Sequence, residues 1–221
     1  MEAIDHPQPH SQQHSQPHAP TLTEHADPPD PVGLVLMLHG GKEHGRKPVD
    51  GRSASWRRSA SMADAVTEGF ADAGVAVWLL RYRHRGWNGG SGPVEDARWA
   101  LAEARERLGG MPIVLLGHSM GARTSVHVAD DEAVRGVVAL APWLPPGEPV
   151  AALAGKRLVA AHGNRDRITS PRATRAYVER AIAVGAEATY VDMGRVGHYL
   201  LRRVPDWNRI ALESSLSLLA D

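Results

Sequence analysis

Three residues have the types and setting for nucleophilic chemistry. In "PIVLLGHSMGARTS", residues 112–125, Ser119 stands between Gly117 and Gly121 at a spacing of two. A serine hydroxyl is a weak nucleophile and needs a general base. His198, in "VGHYLL", is the only histidine after Asp166 and fills that role. The base needs an anion to orient its other ring nitrogen, and Asp166, in "HGNRDRITSP", supplies it. A nucleophile that attacks a carbonyl also needs two N–H donors for the oxyanion that forms. The backbone N–H of Met120 is one, and Gly41 in "LHGG" is placed to give the other.

These residues need elements that bring them together. Six short apolar runs fall at 33–41, 75–82, 112–119, 134–142, 157–163 and 187–194. The first five are nearly continuous in apolar residues, as strands buried on both faces are. Amphipathic stretches lie between most of them. Over 93–109, Val94, Ala97, Leu101, Ala104 and Leu108 recur at alternating steps of three and four, one helical stripe, with Pro93 in the first turn and Gly109 at the end. Over 171–185 the helix signals are Ser170 as N-cap, Pro171 behind it and Gly185 at the close. Strands alternating with helices imply a parallel sheet covered on both faces. Functional groups in such a sheet collect at the carboxyl ends of the strands, where Gly41 and Ser119 close a run and Asp166 and His198 follow one. The glycines around Ser119 suit a sharp strand-to-helix turn, where side chains two positions either way would collide with the neighbouring elements.

"LHGG", "GHSMG", "HGNRD" and "VGHY" resemble the motifs of the α/β-hydrolase superfamily in order and spacing, over roughly residues 32–221. The stretch "RYRHRGWNGGSGPVEDARWAL" is similar to the region of these hydrolases running from the fourth strand into the next helix. The resemblance implies a Ser119 nucleophile, a His198 base, an Asp166 orienter and an oxyanion hole from Met120 and Gly41. The chain order Ser, Asp, His is that of nucleophile-elbow hydrolases. The family's first two antiparallel strands have no counterpart in the runs above. The expected fold is therefore an α/β-hydrolase fold reduced to six strands, mostly or wholly parallel, with helices on both faces. Only residues 142–156 separate the fourth run from the fifth, too few for a multi-helix cap domain.

Other residues compete for roles. Asp192 ends the last strand and is an alternative acid. His118 reads as a neighbour packed beside the serine, His39 and His162 as loop-bracing hydrogen bonders, and His127 as structural. Trp143 either lines the acyl pocket or caps the core. The loops after the first two strands carry Lys42, Arg46, Lys47, Arg52, Arg81, Arg83 and Arg85, which predicts a mild preference for anionic substrates or a solvated basic surface.

Composition narrows the function classes. Of the 25 acidic residues, Glu2, Asp5, Glu24, Asp27 and Asp30 lie in residues 1–31, which hold no lysine or arginine. The remainder then carries 25 basic against 20 acidic side chains, too small an excess to argue for nucleic acid. The absence of cysteine excludes disulfides, thiolate catalysis and cysteine-ligated zinc. No apolar run approaches the ~18–20 residues of a membrane span, and the acidic, proline-broken start does not read as a signal peptide. A cytoplasmic location without membrane contact is expected. Residues 1–31 are rich in His, Gln, Pro and Ser and read as a disordered tail ahead of a hydrolase domain at 32–221. His6, His10, His14 and His18 recur every four residues, a spacing for metal ligands on a helix that Pro7, Pro9 and Pro17 oppose.

The activity expected is hydrolysis of a small carboxylic ester or thioester through an acyl-enzyme, a mechanism that requires neither a metal nor an organic cofactor. The same three residues also suit perhydrolase, amidase or acyl-transfer chemistry. A binding or scaffold protein of the same shape is the alternative from another class. The acyl chain, the leaving group and the oligomeric state are not legible in the chain.

Overall fold

A computed structural model describes residues 18–220. All six apolar runs are strands, and a seventh precedes them. In chain order they are β1 (Thr21–Ala26), β2 (Gly33–Leu38), β3 (Val75–Arg81), β4 (Ile113–His118), β5 (Val134–Leu140), β6 (Arg157–His162) and β7 (Glu187–Asp192). They form one sheet in the order β1-β3-β2-β4-β5-β6-β7. Every neighbouring pair is parallel except β1 with β3. The expected six-stranded sheet thus gains an antiparallel edge.

That edge corrects the reading of residues 21–26 as part of a disordered tail. Within "TLTEHA", Thr21 pairs with Arg81 and Leu22 with Leu80, and an irregularity at His25 lets Ala26 pair with Val77. Ala26 is buried, and Leu22 packs against the core. Side chains tie the strand to both helical layers, with His25 on Asp64 and Glu24 held by the Arg107 guanidinium. A polar edge strand needs only its backbone ladder and one or two apolar contacts, so it carries no long apolar run. His6, His10 and His14 lie outside the described residues.

Among the described residues five helices cover the sheet: α1 (Ala54–Asp72), α2 (Ser91–Leu108), α3 (Met120–His127), α4 (Pro171–Ala183) and α5 (Val204–Leu219). Side chains alternate across the central strands. Leu34, Leu36 and Leu38 of β2 face the layer of α2, α3 and α4, with Ala97, Leu101, Val126 and Tyr177. Val35 and Met37 face α1 and α5, with Val66, Phe70, Trp207 and Ala211. This double burial explains why β2 to β5 are almost purely apolar. The helix over 171–185 starts as its sequence predicts, with Ser170 Oγ accepting the Ala173 N–H at 3.2 Å. Between β5 and β6 the chain forms only a short 3-10 turn, Ala151–Leu153, and no cap domain. Among the described residues no helix is long and apolar enough to cross a membrane.

Candidate active site

β4 lies at the middle of the sheet, and Ser119 is the residue between its end and the start of α3. Its backbone has φ 56° and ψ −114°, a conformation that costs a residue with a Cβ and persists only where packing enforces it. The flanking glycines follow from that packing. A Cβ on Gly117 would sit 2.4 Å from the Ala122 nitrogen, and one on Gly121 would sit 2.0 Å from the Leu38 carbonyl oxygen. The turn therefore closes only with glycine on both sides, and it holds the serine Oγ at the carboxyl edge of the sheet.

The loops after β6 and β7 bring the partners. His198 Nε2 is 2.9 Å from Ser119 Oγ, and His198 Nδ1 is 2.8 Å from Asp166 Oδ2. Because a carboxylate only accepts, the imidazole proton lies on Nδ1, which leaves Nε2 to accept from the serine hydroxyl. Ser119 and His198 are both buried to within 6%. Asp192, the alternative acid, is elsewhere. Its carboxylate accepts the Gly194 N–H at 2.8 Å and lies 3.5 Å from Arg175.

Asp166 is held by more partners than its sequence setting discloses. Oδ1 accepts the N–H groups of Ile168 (2.7 Å) and Thr169 (2.9 Å), a local turn closed by the aspartate on its own loop. Oδ2 accepts from His198, from the Thr169 hydroxyl (2.9 Å) and from His162 Nε2 (3.0 Å). Burial pushes this carboxyl up, but the hydrogen bonds from His162, His198, Thr169 and Ile168 outweigh it and hold it well below the usual carboxylate range. Thr169 Oγ1 is also 3.1 Å from His198 Nδ1. His162 is fixed in turn by Thr174 Oγ1 at 2.8 Å on Nδ1. The sequence alone marks His162 as a loop-bracing hydrogen bonder and does not single out Thr169. The one signal for either is the string D-R-I-T, an aspartate followed by the hydroxyl residue that caps its own turn.

Two further histidines brace the site. His118 Nε2 donates to the His198 carbonyl at 3.0 Å, and the two rings lie 5.1 Å apart. Burial, with the neighbouring His198 and Arg58 adding to it, lowers the His118 pKa to about 3. It is a neutral support beneath the base loop. His39 Nδ1 donates to the Gly40 carbonyl at 2.6 Å, and its Nε2 accepts the Tyr82 N–H at 3.4 Å, joining the ends of β2 and β3. Burial lowers its pKa to about 4.

The loop braced by His39 runs against the serine turn. A Cβ on Gly40 would lie 3.4 Å from Ser119 Cβ, and one on Gly41 would lie 2.4 Å from Met120 Sδ. Met120 is the first residue of α3, so its N–H has no intrahelical acceptor. The sequence-predicted residues Ser119, His198, Asp166, Met120 and Gly41 thus meet at one place. Trp143 reaches it through the backbone, donating its N–H to the Ser119 carbonyl at 3.2 Å. Its ring instead meets Trp87 edge to face, with centroids 6.3 Å apart, and the Arg123 guanidinium lies over both indoles, 4.3 Å from Trp87 and 4.4 Å from Trp143. Arg123 and His127 both bind the buried carboxylate of Glu148.

The basic loops are less free than their composition suggests. Arg83 is bound to Asp96 and Glu95, Arg85 to Asp50 and the Pro48 carbonyl, and Arg81 lies over the Trp56 ring at 4.3 Å. Among the described residues no group of three or more His, Cys, Asp or Glu is disposed to hold a metal ion.

The model of the "Alpha/beta hydrolase family" matches residues 35–216. Solved structures show the same fold. An alpha-beta serine hydrolase homologue from Coxiella burnetii is 18% identical, with a TM-score of 0.68 over 88% of this chain and 90% of the other. A serine hydrolase without lid from Xanthomonas campestris is 19% identical, with a TM-score of 0.69 over 91% and 90%. An acetyl ester-xyloside bifunctional hydrolase from Caldicellulosiruptor lactoaceticus is 14% identical, with a TM-score of 0.68 over 92% and 89%. No curated protein matches the chain.

Proposed function

The chain belongs to the alpha/beta hydrolase family, and on that premise we propose that it is a serine hydrolase that cleaves a carboxylic ester or thioester through an acyl-enzyme on Ser119. The observation that carries the proposal is the continuous chain from Ser119 Oγ through His198 to Asp166, at 2.9 and 2.8 Å. Ser119 Oγ attacks the acyl carbon and its proton passes to His198 Nε2. The carbonyl electron pair becomes an oxyanion held by the N–H groups of Met120 and Gly41. When that pair returns, the bond to the leaving oxygen or sulfur breaks and His198 gives the leaving group its proton. Water then attacks the acyl-serine, with His198 again as base, and the second collapse frees the carboxylic acid and restores Ser119.

Asp166 holds the imidazole in the tautomer that leaves Nε2 free, and its ionised state compensates the imidazolium formed at each step. The depressed pKa of this carboxyl suits that task, because it stays charged at any working pH. The test is labelling by a fluorophosphonate probe, followed by turnover of short p-nitrophenyl esters. Wild-type protein is expected to be labelled and Ser119→Ala not. Equal labelling of both would remove Ser119 as the nucleophile.

A further inference from the structure

Beside His198 the surface sinks into a depression of about 410 Å³ walled by Arg165, Arg167, Arg195 and Arg202, with Tyr199 among its lining. All four guanidinium groups are on exposed residues, and none has a carboxylate partner among the described residues. The acids closest to them in the chain are engaged elsewhere. Asp166 serves the histidines and Thr169, Asp192 faces Arg175, and Asp206 binds Arg203 and Arg209. Arg58 is not part of this lining but meets the same Tyr199, with its guanidinium 5.0 Å from the centre of the ring. Four uncompensated positive charges around one hollow repel each other, and a bound polyanion relieves that repulsion. These arginines come from the loops after β6 and β7, not from the basic loops after β2 and β3, whose Arg83 and Arg85 already have carboxylate partners.

The place of the hollow says which part of a substrate it would meet. In an acyl transfer the general acid must touch the leaving group, so that group lies on the His198 side of Ser119. The depression shares His198. We propose that it is a subsite for a phosphate-bearing leaving group, an alcohol or thiol carrying a phosphate monoester or pyrophosphate; this rests on the acyl-enzyme reading above. Guanidinium forks match phosphate oxygens in pairs, and no lysine lines this hollow. A single carboxylate would leave most of the four cations unmatched. The reaction is unchanged: the phosphate stays on the departing alcohol or thiol, and only the acyl bond is cut.

The experiment compares S-acetyl-4′-phosphopantetheine with S-acetylpantetheine, which share the thioester and differ by one phosphate. Wild-type kcat/KM is expected to favour the phosphorylated thioester by roughly 10- to 100-fold, the scale on which focused charge enriches an ion at a site. The preference should shrink strongly in about 0.5 M NaCl, where the screening length falls to a few ångströms. In the double variant Arg195→Glu, Arg202→Glu the ratio should fall to near one. Inorganic pyrophosphate should bind Ser119→Ala by calorimetry, a readout that needs no turnover, and should bind the variant carrying all three changes far more weakly. A wild-type ratio within about twofold of one, or no pyrophosphate binding, overturns the subsite. So does a ratio of one in a protein that binds phosphatidylglycerol vesicles, since the charge would then serve a lipid surface. Fluorophosphonate labelling separates the two readings: labelled protein with no phosphate preference loses only the subsite, whereas unlabelled protein loses the acyl-enzyme and the subsite with it.

Discussion

Replacing Asp166 by asparagine keeps the shape of the site and tests how it works. The carboxylate has five donors on it: the Ile168 and Thr169 N–H groups on Oδ1, and His198, His162 and the Thr169 hydroxyl on Oδ2. Asparagine has one oxygen, and the two backbone donors at 2.7 and 2.9 Å cannot turn away. The amide oxygen therefore takes the Oδ1 place and the NH2 group takes the Oδ2 place. A donor then faces His198 Nδ1, which must become the acceptor. The imidazole proton moves to Nε2, where it points at Ser119 and the base can no longer take the hydroxyl proton. The substitution thus reverses the tautomer as well as removing the charge. The same change in a well-studied serine protease costs about 10⁴ in kcat, and the reasoning here predicts a loss of roughly 10³–10⁴ in kcat/KM on p-nitrophenyl acetate by that analogy. Asp192→Asn, on a carboxylate that faces Arg175 and the Gly194 N–H, should cost less than about twofold, as surface changes away from a site do. Circular dichroism checks that both variants fold. Near wild-type turnover in Asp166→Asn would refute the assignment, and a crippled Asp192→Asn beside it would move the acid to Asp192.

Three further outcomes follow from the same contacts. Thr169→Val removes the hydroxyl donor to Asp166 Oδ2 at little change in shape, and one hydrogen bond to a charged group is worth about 1.5 kcal/mol or more. Steady-state kinetics should show about a tenfold lower kcat/KM, and an unchanged value would leave Thr169 as mere packing. Acid should weaken the fold well before the carboxylates titrate. His39 and His118 have folded pKa values lowered to about 4 and about 3 from an unfolded 6.5, so the unfolded chain binds more protons between those values. The stability they allow is fully present above 6.5 and is lost as pH falls toward the folded values. At pH 5 the loss is about 2 kcal/mol for each imidazole, to be read by urea unfolding at pH 5 and pH 7.5, and equal stability at both would show the rings protonate in place. Finally, Ala26→Asp places an unpaired charge in the layer under α1 at a residue 5% exposed. A cost of about 3 kcal/mol lowers Tm by roughly 6–12 °C in a domain of this size, whereas the exposed Asp27→Ala should leave it in place; matching melting curves would return residues 21–26 to the status of a solvated tail.

Those two sets of contacts also mark what was legible in the sequence and what was not. The five inner strands show because a strand buried on both faces must be apolar at nearly every position, as "VAVWLL" in β3 is. Ser119 shows because its turn brings backbone so close that Gly117 and Gly121 cannot be anything else. In both places packing leaves one choice of residue, and a forced residue is one a reader can find. β1 escapes because an edge strand is half solvated. Thr21, Thr23, Glu24 and His25 satisfy it as well as valines would, and its register is set by Arg81, Leu80 and Val77, more than fifty positions away. His162 and Thr169 escape for a related reason. Their side chains matter through the one carboxylate oxygen they share with His198, and that meeting is made by the β6 loop folding back on itself, which no spacing between histidines encodes. The arginines on the His198 side are harder still. Arg81, Arg83 and Arg85 stand together in the sequence and are taken up by Trp56, Asp96, Glu95 and Asp50, whereas Arg165, Arg167, Arg195 and Arg202 come from two separate loops and meet only when β6 and β7 lie side by side. Local charge density measures cations before their partners are subtracted, and only the fold performs that subtraction. The part of this protein that would choose a substrate is therefore written in which arginines are left over, and the part that would do the chemistry in which glycines could not be replaced.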